Sequence, residues 1–127
     1  MTQVSYEIPE NIRELIVKVA FKAIENGCID EAKSILDALA KNYPLSAASD
    51  IGYALIEIMN SNFSKAIRIL KNTLEKSINC LEEARIVLLY AMVASGKVNE
   101  AKYEAKNMLE GKLVSKDNIK IIFAEMG

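Results

Sequence analysis

The stretch NGCIDEA, residues 26–32, decides how the chain is read, because close variants return as NSNFSKA at 60–66 and SGKVNEA at 95–101. Each copy has a small or turn-forming residue, then an apolar one (Ile29, Phe63, Val98), then an alanine three positions on (Ala32, Ala66, Ala101). The alanines recur with a period of 34 and then 35 residues. A period in this range predicts repeated helical hairpins.

The segments around the copies have helical spacing. NIRELIVKVAFKAIEN places apolar residues at 12, 15, 16, 19, 20, 23 and 24, one stripe of a helix. Pro9 suits the first helical position, and Gly27 suits a left-handed C-terminal closure. Asp30 is the expected N-cap of EAKSILDALAKNY, which Pro44 ends. Ser46 or Ser49 opens SDIGYALIEIM, the chain turns at 60–62, and Ser64 caps KAIRILKNTLEK. EEARIVLLYAMVAS turns at Gly96-Lys97 into NEAKYEAKNML, capped by Asn99 and stopped by Gly111. Ser115 or Asp117 starts a last helix, NIKIIFAEM. The expectation is one all-α domain over 1–127: hairpins at about 10–43, 46–77 and 80–111, then a terminal helix at about 116–126. A generic helical bundle with coincidental spacing is the competing reading.

Composition narrows function. The chain has 127 residues, enough for one domain with a real core. Basic and acidic residues nearly cancel, 16 against 17, and no basic stripe of the kind nucleic-acid binders carry is visible. The opening MTQVSYEIPE lacks the basic start and apolar run of a secretory signal, and no apolar run approaches a membrane span. A cytoplasmic protein without membrane insertion is expected. Cys28 and Cys80 are too few and too isolated for a disulfide framework or a zinc site. The chain has no histidine, so Ser-His-Asp and Cys-His chemistry is excluded. Its five glycines are scattered rather than gathered into a phosphate loop. No catalytic residues, cofactor or metal are expected, and the chain does not read as an enzyme.

The spacing and its small residues resemble the tetratricopeptide repeat. In the first unit the family's small positions fall on Ala20, Gly27 and Ala32, its large apolar position on Leu36 and its closing proline on Pro44. The second unit has Ala54, Ser61, Ala66 and Leu70, with Ile78 in place of proline. The third has Gly96 and Ala101, while Leu89 replaces a small residue and Ala105 a large one. The resemblance covers about residues 12–111 and implies a right-handed solenoid of three hairpins with a C-terminal capping helix. Ile119, Ile122, Phe123 and Met126 would cover the last hairpin.

In such a solenoid the first helix of each hairpin lines a concave face. The alignment puts Val17, Phe21 and Ile24, then Ile51, Leu55 and Ile58, then Ile86, Tyr90 and Val93 on that face. All nine are apolar or aromatic. They read either as core or as a groove for an amphipathic helix. Val17 and Phe21 stand where carboxylate-clamp members of the family carry a lysine and an asparagine, so that mode is not expected. Asp50 and Glu57 align with positions usually buried between hairpins; either the register slips there or they face a polar partner. Lys65, Arg68, Lys71 and Lys76 form a basic outer face that reads as solvated.

The stretch GCIDEAKSILDALAKNYPLSAASDIGYALIEIMNSNFSKAIRIL is similar to the small tetratricopeptide-like chaperones of bacterial type III secretion, within them the needle-subunit chaperones. That resemblance implies a groove that covers the polymerising helix of a small needle subunit, often with help from a second small chaperone. The alternatives are an adaptor for another folded protein and a self-associating scaffold that forms a homodimer.

Overall fold

The structure, a computed structural model, describes residues 10–124. The expectations for Pro9 and Met126 lie outside the described residues. Seven helices follow in order: α1 (Glu10–Glu25), α2 (Ile29–Asn42), α3 (Ala48–Met59), α4 (Phe63–Lys76), α5 (Leu81–Ala94), α6 (Val98–Glu110) and α7 (Lys116–Ala124). Among the described residues there is no strand, only one isolated parallel bridge between Ser46 and Asn79.

The recurring seven-residue stretch is a helix-to-helix turn built the same way three times. Gly27, Ser61 and Gly96 hold positive φ of 78°, 61° and 89°. At each, the next residue's N–H reaches back to the helix: Cys28 to Ala23 O, Asn62 to Glu57 O and Lys97 to Met92 O, at 2.8, 2.8 and 2.9 Å. The left-handed residue itself bonds three back, to Ile24, Ile58 and Val93. This is the Schellman closure, which satisfies carbonyls that a helix end leaves bare.

The residue after the left-handed one then serves the next helix. Cys28, Asn62 and Lys97 accept the N–H of Ala32, Ala66 and Ala101 on their carbonyls. The second helices therefore start at Ile29, Phe63 and Val98, and Asp30, Ser64 and Asn99 are not caps but already helical. A single residue stands between the left-handed position and each second helix, which leaves no room for a separate capping residue, and none of the three N-caps bonds its own helix through its side chain. Before α3 and α7, where the link is longer, hydroxyls do the work. Ser46 Oγ accepts from Ala48 N–H at 3.3 Å, and Ser115 Oγ accepts from Asn118 N–H at 3.2 Å.

Packing follows the same repeat. α1 lies against α2 and α3, α3 against α4 and α5, and α5 against α6 and α7, while α2 and α4 also touch the next helix along. Two rows result, α1-α3-α5-α7 and α2-α4-α6, a pattern compatible with a helical-repeat solenoid. Ala20, Ala32, Ala54, Ala66 and Ala101 are fully buried, since only small side chains let two backbones approach this closely. Gly52 is tighter still, because a Cβ there would stand 2.4 Å from Leu36 Cδ2. In the third hairpin the sizes are exchanged. Leu89 and Ala105 are both buried in one cluster, so volume gained at 89 offsets volume lost at 105.

The core has two parts. One joins Ala20, Ile24, Ala32, Leu36, Leu39 and Ile56. The larger runs through hairpins two and three and takes in Val114, Ile119 and Ile122 from the last turn and α7. Phe21 packs against both and is the apolar link between them.

Candidate functional site

The row α1-α3-α5 carries the nine expected groove residues, and it does not present them equally. Val17, Phe21, Leu55, Ile58, Ile86 and Val93 are half-buried, and Tyr90 is 48% exposed. Ile24 and Ile51 are 4% and 3% exposed. Both are core residues, because each points into a cluster of alanines and large aliphatics between the rows. Seven of the nine thus keep accessible apolar surface, while Ile24 and Ile51 support it from beneath.

At the α1 end this surface deepens into an open cavity of about 430 Å³. Val17 and Phe21 of α1, Leu39 of α2 and Ala48 of α3 make its apolar part. Arg13, Glu14 and Lys18 of α1 edge it on one side; Tyr43, Ser46, Ser49, Asn79 and Cys80 edge it on the other. The Arg13 guanidinium lies over the Tyr43 ring, 5.2 Å from its centroid, a cation–π contact. Two inter-hairpin turns are held together beside the cavity: Ile78 N–H donates to Leu45 O at 2.8 Å and Ala47 N–H to Asn79 O at 3.2 Å. This tie brings the starts of α3 and α5 to one place.

The polar half of the cavity was not legible in the sequence. Arg13, Val17 and Phe21 do share a helix face at four-residue spacing, which is a usable signal for the α1 side. Ser46, Ser49, Asn79 and Cys80 lie in or beside turns, and their convergence depends on the tie between turns, which has no local signature.

Asp50 and Glu57 find partners within the chain. Asp50 Oδ2 is 2.9 Å from Thr73 Oγ1 and 3.3 Å from Lys76 Nζ. Glu57 accepts from Asn62 Nδ2 at 2.9 Å and pairs with Lys65 Nζ at 3.2 Å. The Asn62 bond holds the Glu57 carboxyl below the usual carboxylate range; partial burial opposes this and Lys65 adds to it. Two of the four outer basic residues, Lys65 and Lys76, are therefore engaged across the α3–α4 hairpin, leaving Arg68 and Lys71 on the exposed face.

Cys28 and Cys80 are free thiols at exposed residues. Burial of the sulfur, then Glu83, pushes the Cys80 thiol up, against smaller opposing effects of Ser46 and Arg13, so the protonated form is favoured. Among the described residues no group of His, Cys, Asp and Glu could hold a metal ion, and no helix is long and apolar enough to cross a membrane.

No known protein family, curated protein or solved structure matches this chain.

Proposed function

We propose that the chain is a protein-binding module of tetratricopeptide-like build whose α1-α3-α5 face holds an amphipathic helix of another protein. The supporting observation is that apolar side chains stay accessible on three successive first helices: Val17 and Phe21, Leu55 and Ile58, then Ile86, Tyr90 and Val93. A helix laid along them would bury its apolar face at spacings of three and four residues. The likeness of residues 27–70 to needle-subunit chaperones of type III secretion names the client class: a small helical subunit, kept from polymerising in the cytoplasm, with a second small chaperone as a further partner.

The test is affinity capture of the tagged chain from its own cells, with native mass spectrometry on the eluate. A stoichiometric complex with one or two small helical proteins is expected. Leu55→Asp and Tyr90→Glu are expected to lower partner affinity at least about tenfold while the free chain keeps its helical circular dichroism. Retention of wild-type binding by both variants would remove the groove from the account.

One observation favours self-association as a second reading. Ile12, Leu15 and Val19 form an exposed apolar stripe on α1, away from the cavity. A homodimer through that stripe would appear in sedimentation without any other chain and vanish in Leu15→Glu.

A further inference from the structure

We infer that the cavity at the α1 end is the anchor pocket of the groove and receives an aromatic side chain with a neutral polar tip, tyrosine or tryptophan, from the bound helix. The inference rests on the groove reading and specifies what its partner inserts.

The floor of the cavity sets the body of the occupant. Val17, Phe21, Leu39 and Ala48 come from three helices, so one inserted group buries apolar surface against all of them. Val17 and Phe21 belong to the accessible row as well as to the floor, which makes the cavity continuous with the groove. A cavity of about 150 Å³ already holds benzene. The volume here, about 430 Å³, takes a ring and leaves room for part of a neighbouring side chain one turn along.

The ionic groups around the rim cancel, two against two. The Arg13 guanidinium is engaged within the chain and lies over the Tyr43 ring, so it forms a wall rather than a free charge. Lys18 and Glu14 share one edge at a spacing of four residues, and Glu83 lies in the first turn of α5. Burial, and after it Glu83, keeps the Cys80 thiol on the same rim protonated. No surplus of either sign is left to repay the desolvation of an ionised occupant.

The unmatched groups are neutral. Ser49 is 4% exposed and lines the cavity, and its hydroxyl has no hydrogen-bond partner among the described residues. The Asn79 side-chain amide, also at the rim, has none either among those residues. Ser46 is different, because its Oγ already accepts from Ala48 N–H. A hydroxyl and an amide both donate and accept, and a nearly buried hydroxyl gains most from a partner that reaches it. Tyrosine and tryptophan are the side chains that join a large apolar body to a neutral hydrogen-bonding tip. Either satisfies floor and rim together.

The probe is p-cresol, the tyrosine side chain as a free molecule, compared with p-toluate, in which a carboxylate replaces the hydroxyl. Each is titrated into the ¹⁵N-labelled full chain and followed by amide NMR shifts. Shifts are expected at residues 46–49 and 79–80 and along residues 13–21. p-Cresol should bind with a dissociation constant on the order of 1–10 mM, as suits a fragment of this size, and p-toluate about tenfold more weakly. Ser49→Ala should weaken p-cresol about threefold. Val17→Trp, which puts a ring of the chain's own on the floor, should abolish the shifts while the circular dichroism stays helical.

Binding of p-toluate as tight as that of p-cresol, shifts elsewhere on the chain, or indifference to both substitutions would each overturn the inference. Saturation by p-cresol at micromolar concentration would overturn the side-chain assignment in favour of a free phenolic ligand. The probe needs no protein partner. Its failure is therefore distinct from failure of the groove reading, which is decided by capture with Leu55→Asp and Tyr90→Glu.

Discussion

Ser61 shows how much one position in a repeated turn can be asked to tolerate. It occupies the place that Gly27 and Gly96 hold in the other hairpins, with the same left-handed backbone. A residue with a Cβ is disfavoured there by about 1 kcal/mol relative to glycine. Ser61→Gly is therefore expected to raise stability by about 0.5–1 kcal/mol, read as a higher urea midpoint at unchanged slope. A lowered midpoint would mean that the serine hydroxyl makes a compensating contact. The recurrence of glycine or serine at these places was legible because a left-handed residue has few substitutes. The capping residues of the second helices were misplaced by two positions. Asp30, Ser64 and Asn99 have ideal cap chemistry, and sequence alone does not reveal that the preceding turn has already used the residue before them.

The α3–α4 hairpin is fastened at both ends by polar side chains. Asp50 and Glu57, two turns apart on α3, meet Thr73 and Lys76 at one end of α4 and Asn62 and Lys65 at the other. The sequence marked both acids as out of place for buried positions but left open whether the register slipped or a partner faced them. Neither happens. Their counterparts are basic residues that one-dimensional spacing assigns to a solvated face, and only the hairpin's antiparallel geometry pairs them. Glu57 gives this fastening a pH dependence. Its folded carboxyl titrates below its ordinary value, so its contribution is present in full above the unfolded carboxylate range and is lost as pH falls through the folded value. Its side chain is 17% exposed, and a pair of this kind contributes less than about 1 kcal/mol. Glu57→Gln should be less stable than wild type at neutral pH by that order. Denaturant titrations from pH 7 downward should show the difference closing below the usual carboxylate range.

Across the molecule, every contact of note joins a helix to its neighbour or next neighbour in the same row. That is why helix number, order and approximate bounds were legible: a 34-residue period with buried alanines constrains local geometry at every step. The inner face was only partly legible. Ile24 and Ile51 have the same apolar character as Val17 and Leu55, and only the rotation of each helix against its neighbours decides which of them sink into the core. The cavity was least legible, because it forms where turns from different hairpins meet.

The tie between those turns has a mechanical consequence. Leu45–Ile78 and Ala47–Asn79 are backbone bonds that join the chain just before α3 to the chain just after α4, so they clasp the second hairpin at its base, whereas the turn before α7 reaches α5 through side chains, Glu82 to Ser115 and Arg85 to Leu113 O. Under tension from the two ends, load passes across this clasp, and the helices on either side of the second hairpin should yield before it. In an optical trap the last lengthening, at the highest force, should then be that of the clasped hairpin, on the order of 100 Å. A second hairpin that opens at the same force as the rest would show that the tie bears no load.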